Sequence, residues 1–356
     1  MLEAKSIKRC ASACLFFVVL YQAFLPFQCS AQTVEQVQKV MFYNCENLFD
    51  PTDDPDKQDD DYTPAGSRHW TSYRLYEKLL NLSKVVVAAG EGTPPMLIGL
   101  AEVENDSVVQ RLIGGTPLRR WEYQYVMTHS DDVRGINVAL LYQPMDFRLL
   151  GYKPVKISMP QGSKPTRDLL HVWGRIVNAD TLDIIVCHLP SRLGGTIKSN
   201  ANRVAAYMAL GHLVDSVNHC RLNPHVIVMG DMNDTPQSRL MRKSLDWDTS
   251  LHNLMQPLQN ALLRGKISFG SHKYKGKWRF IDQFWVNTSM AKTINPDNQH
   301  NCSVWVEGAD VVHEPFMMVE DETHLGHRPL RSFYGFRYEA GFSDHLPITL
   351  NLHISY

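Results

Sequence analysis

The sequence has no surplus of charge. Its 356 residues hold 36 Lys and Arg against 37 Asp and Glu, a formal net charge of −1. A chain so balanced presents no basic field to a polyanion, so any anion binding has to be local. Cysteine is scarce, 7 in all, and beyond residue 31 only Cys45, Cys187, Cys220 and Cys302 remain. Cys45 and Cys187 lie inside apolar runs and read as small buried side chains. Cys220 and Cys302 can bridge in an oxidising compartment, although spacing alone does not establish a pair. After residue 31 no apolar run approaches the ~18 residues that a membrane span needs. Internal repeats and interdomain linkers are also missing.

The N-terminus is the exception. Lys5, Lys8 and Arg9 precede the apolar run "ASACLFFVVLYQAFLPF" and then "CSAQ", the order of a basic start, an apolar stretch and a small-residue cleavage site. Cleavage after Ala31 fits best. An uncleaved anchor is the alternative, while Phe27 and Gln28 speak against lipidation at Cys29. Residues 1–31 are thus expected to be a signal peptide and 32–356 a single domain. The product is expected to be exported, periplasmic or secreted, monomeric and without stable membrane insertion. The leader sets three basic residues against Glu3, so its removal leaves a net charge of about −3.

One segment is compositionally biased. "DPTDDPDKQDDDYTP", residues 50–64, has the Asp density of a calcium loop but lacks the ordered spacing with a central Gly and distal Glu. A solvated acidic loop is the expectation. After it, "TSYRLYEKLLNLSKVVVAAG" sets Tyr73, Tyr76, Leu79, Leu80 and Val87 at helical spacing and stops at Gly90, which predicts a helix. A second helix is predicted at "SNANRVAAYMALGHLVDSVNHC". Short strands are predicted at "VMFYN", "MLIGLAE", "INVALLY", "HVWGRIV", "LDIIVCH", "HVIVMGD", "FIDQFWV" and "ITLNL", and a hairpin around Gly276 with Trp278 packing. Many strands with continuous apolar runs and a few helices imply a layered α/β sandwich.

The apolar runs end in polar residues. "MLIGLA" ends at Glu102, "LDIIVC" at His188, "HVIVMG" at Asp231, and "VMFY" at Asn44. Sites gather at such ends in layered folds. In extended chain, residues i and i+2 project to one side, so Asn44 with Glu46, and Asp231 with Asn233, can each offer two groups to one cavity. Taken singly, each is more often a solvated turn residue; together they carry the argument. Carboxylates, a carboxamide and imidazoles suit phosphate-ester chemistry: hard oxygen donors hold Mg²⁺, and a carboxylate or His activates water. Two rival metal readings fail. "GDMND" resembles the box of calcineurin-like phosphatases, but that family's other motifs are absent. His313, His324 and His327 lie close together in sequence without the cysteines or HExxH spacing of a zinc site.

In order, "FYNCENLF", "GLAEVEN", "VCHLPSR", "GDMN", "FIDQFWV" and "SDHLP" run from residue 42 to 347. On these motifs the sequence resembles the endonuclease/exonuclease/phosphatase superfamily, the group of deoxyribonuclease I, abasic-site endonucleases, sphingomyelinases and inositol-phosphate phosphatases. The resemblance implies a four-layer α/β sandwich, with two packed mixed β-sheets flanked by helices in the deoxyribonuclease I manner, and a divalent metal, usually Mg²⁺, with Mn²⁺ able to replace it. It implies Glu102 as a metal ligand, with Asp344 assisting metal or water binding. Glu46 stands where some members have an Asp ligand, Ala101 stands where many have Gln, and Glu104 is the rival to Glu102. Asp231 would activate or orient water, Asn233 would hold a phosphate oxygen, and Asn44 would position the site. His188 and His345, the latter oriented by Asp282, would contact phosphate and aid proton transfer. Arg167 and Arg192 are the candidate substrate-binding cations; Arg203 is a further basic candidate, and Lys198 reads as surface.

The function expected from this resemblance is an exported, metal-dependent phosphodiester hydrolase, endonuclease-like, with nucleic acid among its candidate substrates. "HLPSRLGG" resembles secreted nuclease-like members. The acidic loop and balanced charge argue against tight duplex binding, which rests on Lys and Arg neutralising phosphates. A phosphodiesterase or phosphatase for lipid headgroups or small phosphate esters is the alternative, and a non-catalytic binding protein the remaining one. Asp282 lies beside Ile281, Phe284 and Trp285, where a carboxylate is costly unless paired. A contact with His345 at about 2.7–3.2 Å is expected; a solvent-facing Asp282 is the alternative.

Overall fold

Two parallel strand pairs, each with a helix in its crossover, organise the molecule. The computed structural model describes residues 34–178, 180–192, 195–245, 251–291 and 303–355. The expected signal peptide, Cys302 and the side chain of Lys198 lie outside the described residues. In chain order the strands begin β1 (Glu35–Leu48), β2 (Leu97–Val103), β3 (Gln124–Met127), β4 (Asn137–Tyr142), β5 (Arg148–Val155), β6 (Leu169–Arg175), β7 (Thr181–His188), β8 (His225–Asp231) and β9 (Leu251–Asn253). They continue with the hairpin β10 (His272–Tyr274) and β11 (Lys277–Arg279), then β12 (Asp282–Asn287) and β13 (Val304–Val311). Two further hairpins follow, β14 (Met318–Glu320) with β15 (His327–Pro329) and β16 (Phe333–Tyr334) with β17 (Arg337–Tyr338), before β18 (Ile348–Ser355). The helices are α1 (Ser72–Ala89), α2 (Asp106–Gly115), α3 (Thr196–Cys220), α4 (Arg239–Leu245) and α5 (Gln256–Leu263).

One six-stranded sheet runs β13-β18-β1-β2-β4-β3 and the other β5-β6-β7-β8-β12-β9. Each is mixed, with one parallel pair at its centre, β1/β2 and β7/β8. Alternation along β8 shows the layers. Ile227 and Met229 enter the core between the sheets, with Leu182, Ile184, Val186, Phe284 and Phe42. Val226 and Val228 face the other way and meet Tyr207, Leu210 and Val214 of α3. The sheets approach closely at Gly99, where a Cβ would stand 2.9 Å from Met229 Sδ and 3.1 Å from Phe42 Cδ2. This is the expected two-sheet sandwich, and all eight predicted strands are present. No helix among the described residues is long and apolar enough to cross a membrane.

Several local expectations need correction. Both predicted helices form, but Tyr73, Tyr76 and Val87 of α1 are exposed. The face that α1 buries is Leu75, Leu79, Leu82, Val85, Val86 and Ala89, with Lys78 among them. Strands β3, β5, β9 and β13 and helices α2, α4 and α5 were not expected. Strand β5 is an edge whose residues are exposed or half-buried, so it lacks the apolar run that marks the others. The acidic segment is mostly open to water, yet Asp59 is buried. The hairpin around Gly276 is as predicted, with Lys275 and Gly276 both at positive φ.

Candidate active site

Strand register lines up the polar residues. His188 pairs with Asp231 across the parallel β7/β8 ladder, and Asp231 pairs with Asp282 across antiparallel β8/β12. Three adjacent strands thus present one polar row. In the facing sheet, Asn44 pairs with Ala101 just before the register of β1 and β2 breaks, and Glu102 follows. Regular strand geometry stops here. Glu46, Asn47, Glu102 and Asn233 have φ of 51°, 51°, 58° and 49°, a left-handed region that residues other than glycine enter sparsely and often at functional sites. For the same reason the expected i, i+2 projection fails. Asn44 Oδ1 instead accepts the Glu46 N–H at 3.0 Å, and Asp231 Oδ1 accepts the Asn233 N–H at 2.8 Å.

Asp231 is the centre of the site. Its Oδ2 accepts Asn44 Nδ2 at 3.2 Å across the two sheets and lies 3.6 Å from His188 Nε2 and 3.9 Å from His345 Nε2. Burial, reinforced by the charge of Asp282, raises its carboxyl pKa to about 7. His345 Nδ1 meets both oxygens of Asp282, at 3.0 and 2.8 Å, which is the expected contact; Asp282 is buried, not solvent-facing. Burial by itself would lower this imidazole, but Asp282, Asp344 and Asp231 outweigh it and raise the pKa to about 10. His188 goes the other way. Burial, then the charges of Arg167, Arg134 and His345, hold it well below the ordinary value. One buried imidazole is therefore charged at neutral pH and the other is not.

The remaining candidates divide into those that face this space and those committed elsewhere. Glu102 faces it: Oε2 accepts the Asn47 N–H at 2.8 Å, and Oε1 lies 3.9 Å from His188 Nε2. Asp344 stands at the other side, with Oδ1 4.0 Å from His345 Nε2 and Oδ2 accepting Arg331 Nη2 at 2.7 Å. Glu46, expected among the metal ligands, is used otherwise. Its oxygens accept Arg331 Nε at 3.0 Å and the Ser332 N–H at 2.8 Å, with Lys78 Nζ 3.7 Å away. That carboxylate ties β1 to the 331–332 loop.

The expected cations are likewise spent on the protein. Arg167 donates to the His188 and Leu189 carbonyls at 3.1 and 3.0 Å and to Asp132 at 3.3 Å, so it holds the His188 backbone. Arg192 and Arg203 both pair with Asp234, and Asn233 Nδ2 donates to the Leu189 carbonyl at 2.9 Å.

Sequence reasoning missed Arg331, Lys78, Arg134 and His272. Arg331 bridges Glu46 and Asp344, and Arg134 Nη2 lies 3.6 Å from Glu102 Oε2. The His272 ring centroid lies 4.6 Å from that of His345; burial and the His345 charge push its pKa down to about 4. Only the polar hairpin around His272 carried any signal of its own.

Ligand atoms of Asp231, Asp282 and His345 lie within 4.8 Å of one another, as do those of His272, Asp344 and His345. His345 is held protonated by Asp282, so these triads are not ready-made cation shells. Glu102, Asp231 and Asp344 are oxygen donors of the kind a hard divalent cation takes, although their ligand atoms are not all within 4.8 Å of one another. His188 Nδ1 is buried without a hydrogen-bond partner. His313, His324 and His327 form no metal group among the described residues.

Comparison with known proteins agrees with the fold. Residues 39–354 match the Endonuclease/Exonuclease/phosphatase family. Among solved structures, a family protein from Bacteroides thetaiotaomicron aligns over 90% of this chain and 96% of that one, with 15% identity and a TM-score of 0.55. A mannosyl-6-phosphatase from the same organism aligns over 88% and 99%, with 14% identity and a TM-score of 0.53. D. rerio TDP2 complexed with a single-strand DNA product aligns over 89% and 99%, with 14% identity and a TM-score of 0.50. No curated protein sequence matched.

Proposed function

The chain belongs to the endonuclease/exonuclease/phosphatase family, and from that membership we propose that it is an exported, divalent-metal-dependent phosphodiester hydrolase. One observation carries the reading. Glu102, His188, Asp231, His345 and Asp344 follow one another around an open ring, the four successive gaps being 3.9, 3.6, 3.9 and 4.0 Å. Such gaps exceed a hydrogen bond, so the ring suits groups received between its members. A divalent cation, usually Mg²⁺ in this family, would offset charge developing on the phosphoryl oxygens, with Glu102 and Asp344 as its oxygen donors. Asp231, with a pKa near neutrality, orients the attacking water and takes its proton. His345, protonated and fixed by Asp282, donates from Nε2 to a phosphate oxygen or the leaving group. His188, neutral, hydrogen-bonds the phosphate.

For the substrate, the endonuclease-like reading comes first, a nucleic-acid phosphodiester. A second reading, a lipid headgroup or small phosphate ester, is favoured by the commitment of Arg167, Arg192, Arg203 and Arg331 to protein partners. Guanidinium groups so engaged are less free to follow an extended backbone. A screen of the purified protein against DNA, RNA, sphingomyelin, phospholipid and sugar phosphates separates them. Hydrolysis should disappear in excess chelator, return with Mg²⁺ or Mn²⁺, and be lost in Asp231→Asn. Full activity in chelator, or no cleavage of any substrate, would overturn the proposal. Export rests on the N-terminal sequence alone; protein from the native host should begin at or near Gln32, and a start at Met1 would refute it.

A further inference from the structure

On the outer face of the second sheet, α3 leaves a cleft open. Alternate residues of each strand point to this face. On β7 and β8 these include Ile185, Cys187, Val226 and Val228, which pack with Tyr207, Leu210 and Val214 of α3. On β6 and the edge strand β5 they are His171, Trp173, Lys153 and Val155, and between these residues and α3 lies a cavity of about 820 Å³. A volume of that order suits a small organic ligand. The opposite wall is one stripe of α3, with Ala205, Met208, Ala209 and Leu213 at helical spacing.

The floor is built from fixed parts. Trp173 lies over Gly151, its partner across the β5/β6 ladder, where a Cβ would stand 2.5 Å from the indole Cζ2. Asp183, wholly buried, pairs with Trp173 across β6/β7. Its oxygens meet His171 Nε2 at 2.8 Å and accept Arg221 Nε and Nη2 at 2.8 and 2.9 Å. Charge in the cleft is one-sided. Asp183 is the single acid of the lining, against Lys153, Lys156 and Arg221. Arg221 is matched by Asp183, and Lys156 by Asp131. The exposed Lys153 ammonium takes no hydrogen bond or ion pair from the described residues. Lys153 stands opposite His171 and two residues from Gly151, which makes it the diagonal neighbour of Trp173, within reach of the same ligand.

A half-buried indole beside an unmatched cation complements an aromatic ring that carries negative charge. We propose that this cleft binds a small aromatic anion, a planar ring system with one sulfonate or carboxylate group. The ring lies between Trp173 and the Ala209 side of α3, and the acid group meets Lys153. A neutral ligand would leave that lysine unmatched, and a polyanion would find one uncommitted lysine among the described lining residues. None of these residues belongs to the catalytic ring, so the inference is independent of the proposed hydrolysis.

The probes are anilinonaphthalene sulfonate and phenylnaphthylamine, the same ring system without the sulfonate, titrated into purified protein and followed by dye fluorescence. One sulfonate dye should bind per chain with a Kd of roughly 10⁻⁵–10⁻⁴ M, and the neutral dye about tenfold more weakly. Lys153→Met should weaken the sulfonate dye about tenfold without weakening the neutral one. Ala209→Trp fills the cleft and should abolish both, with thermal unfolding showing that each variant is folded. Glu102→Gln, which alters the catalytic ring, should bind as the wild type does. No binding, equal affinity for the two dyes, binding that survives both cleft substitutions, or binding lost in Glu102→Gln would each overturn the proposal. So would a dimer, seen by sedimentation at higher concentration, that excludes the dye, because a second copy of the chain would then occupy the cleft.

Discussion

Replacing Asp282 by Asn changes the charge of the site with little change of shape. Asp282 is 1% exposed, and both its oxygens meet His345 Nδ1, at 2.8 and 3.0 Å. With the carboxylate in place, His345 keeps its proton up to about pH 10, against the burial that would strip it. Asn still accepts one hydrogen bond but supplies no charge, so only Asp344 and Asp231 are left to oppose burial and the imidazole pKa should fall. Breaking a buried ion pair typically costs about 3–5 kcal/mol. Here the stranded imidazole can release its proton, so the stability loss should be nearer ~1–3 kcal/mol. The loss of rate should be larger in relative terms, on the order of 10²–10⁴-fold, as for a general acid.

The direction of the pH effect follows from the raised pKa. The pair's contribution is complete below the unfolded value of about 6.5 and is lost as pH rises through about 10. Urea denaturation of the wild type should therefore show an alkaline loss that the variant lacks. The kcat profile should fall on the alkaline side in the wild type and stay low throughout in the variant. Combining Asp282→Asn with His345→Ala should cost less than the product of the single losses. Wild-type kcat in Asp282→Asn at neutral pH, or fully multiplicative losses, would refute the reasoning.

Two further outcomes are expected. In Gly230→Ala the new Cβ would stand 2.1 Å from the Cys187 carbonyl oxygen and 2.5 Å from its Sγ; a loss of roughly 3 kcal/mol by urea denaturation is expected, and an unchanged midpoint would show that β7 and β8 can spread. Asp321 is drawn down to about 2, because Lys273 at 2.7 Å and the N–H groups of His324 and Thr323 outweigh its burial. That stability is present above the unfolded value of about 3.9 and lost as pH falls through about 2. The gap between wild type and Lys273→Met should accordingly close in acid, and a constant gap followed by tryptophan fluorescence would refute it.

What the sequence reveals of this site depends on how each residue is buried. The runs 184–187 of β7 and 226–229 of β8 are apolar on both faces, so a polar residue closing them, His188 or Asp231, has no packing reason to be there and is legible as chemistry. Asp282 is legible for a related reason: Phe284 and Trp285 beside it make an unpaired carboxylate costly. Glu46 misleads because its motif position is that of a ligand, while φ of 51° turns it toward Arg331 and Ser332. Lys78 is hidden differently, since a lysine on an amphipathic helix normally reads as solvated, and here it reaches the Glu46 carbonyl at 3.0 Å. Arg331 and His272 come from hairpins and loops placed by tertiary contact, which leave no periodic trace.

These hidden residues bear directly on the chemistry proposed. The cations that sequence reading considers for substrate phosphate are paired within the protein, Arg192 and Arg203 with Asp234 and Arg167 with Asp132, and the unexpected Arg331 is paired with Glu46 and Asp344. Within the ring itself, the carboxylates of Glu102, Asp231 and Asp344 face only one charged imidazole, His345, because His188 is held neutral by burial and by the cations around it. A phosphate ester entering such a ring brings more negative charge beside carboxylates whose nearest guanidinium groups, Arg134 by Glu102 and Arg331 on Asp344, are shared with Asn47 and Glu46. Coulomb repulsion at these separations, weakly screened once the site is closed from water, would oppose binding and oppose still more the charge that accumulates as water attacks. His345 alone cannot balance both the ring and the substrate, since Asp282 already claims its charge. A divalent cation among the ring oxygens would add positive charge not already engaged by a protein carboxylate, which is the physical ground for making metal dependence part of the proposed function.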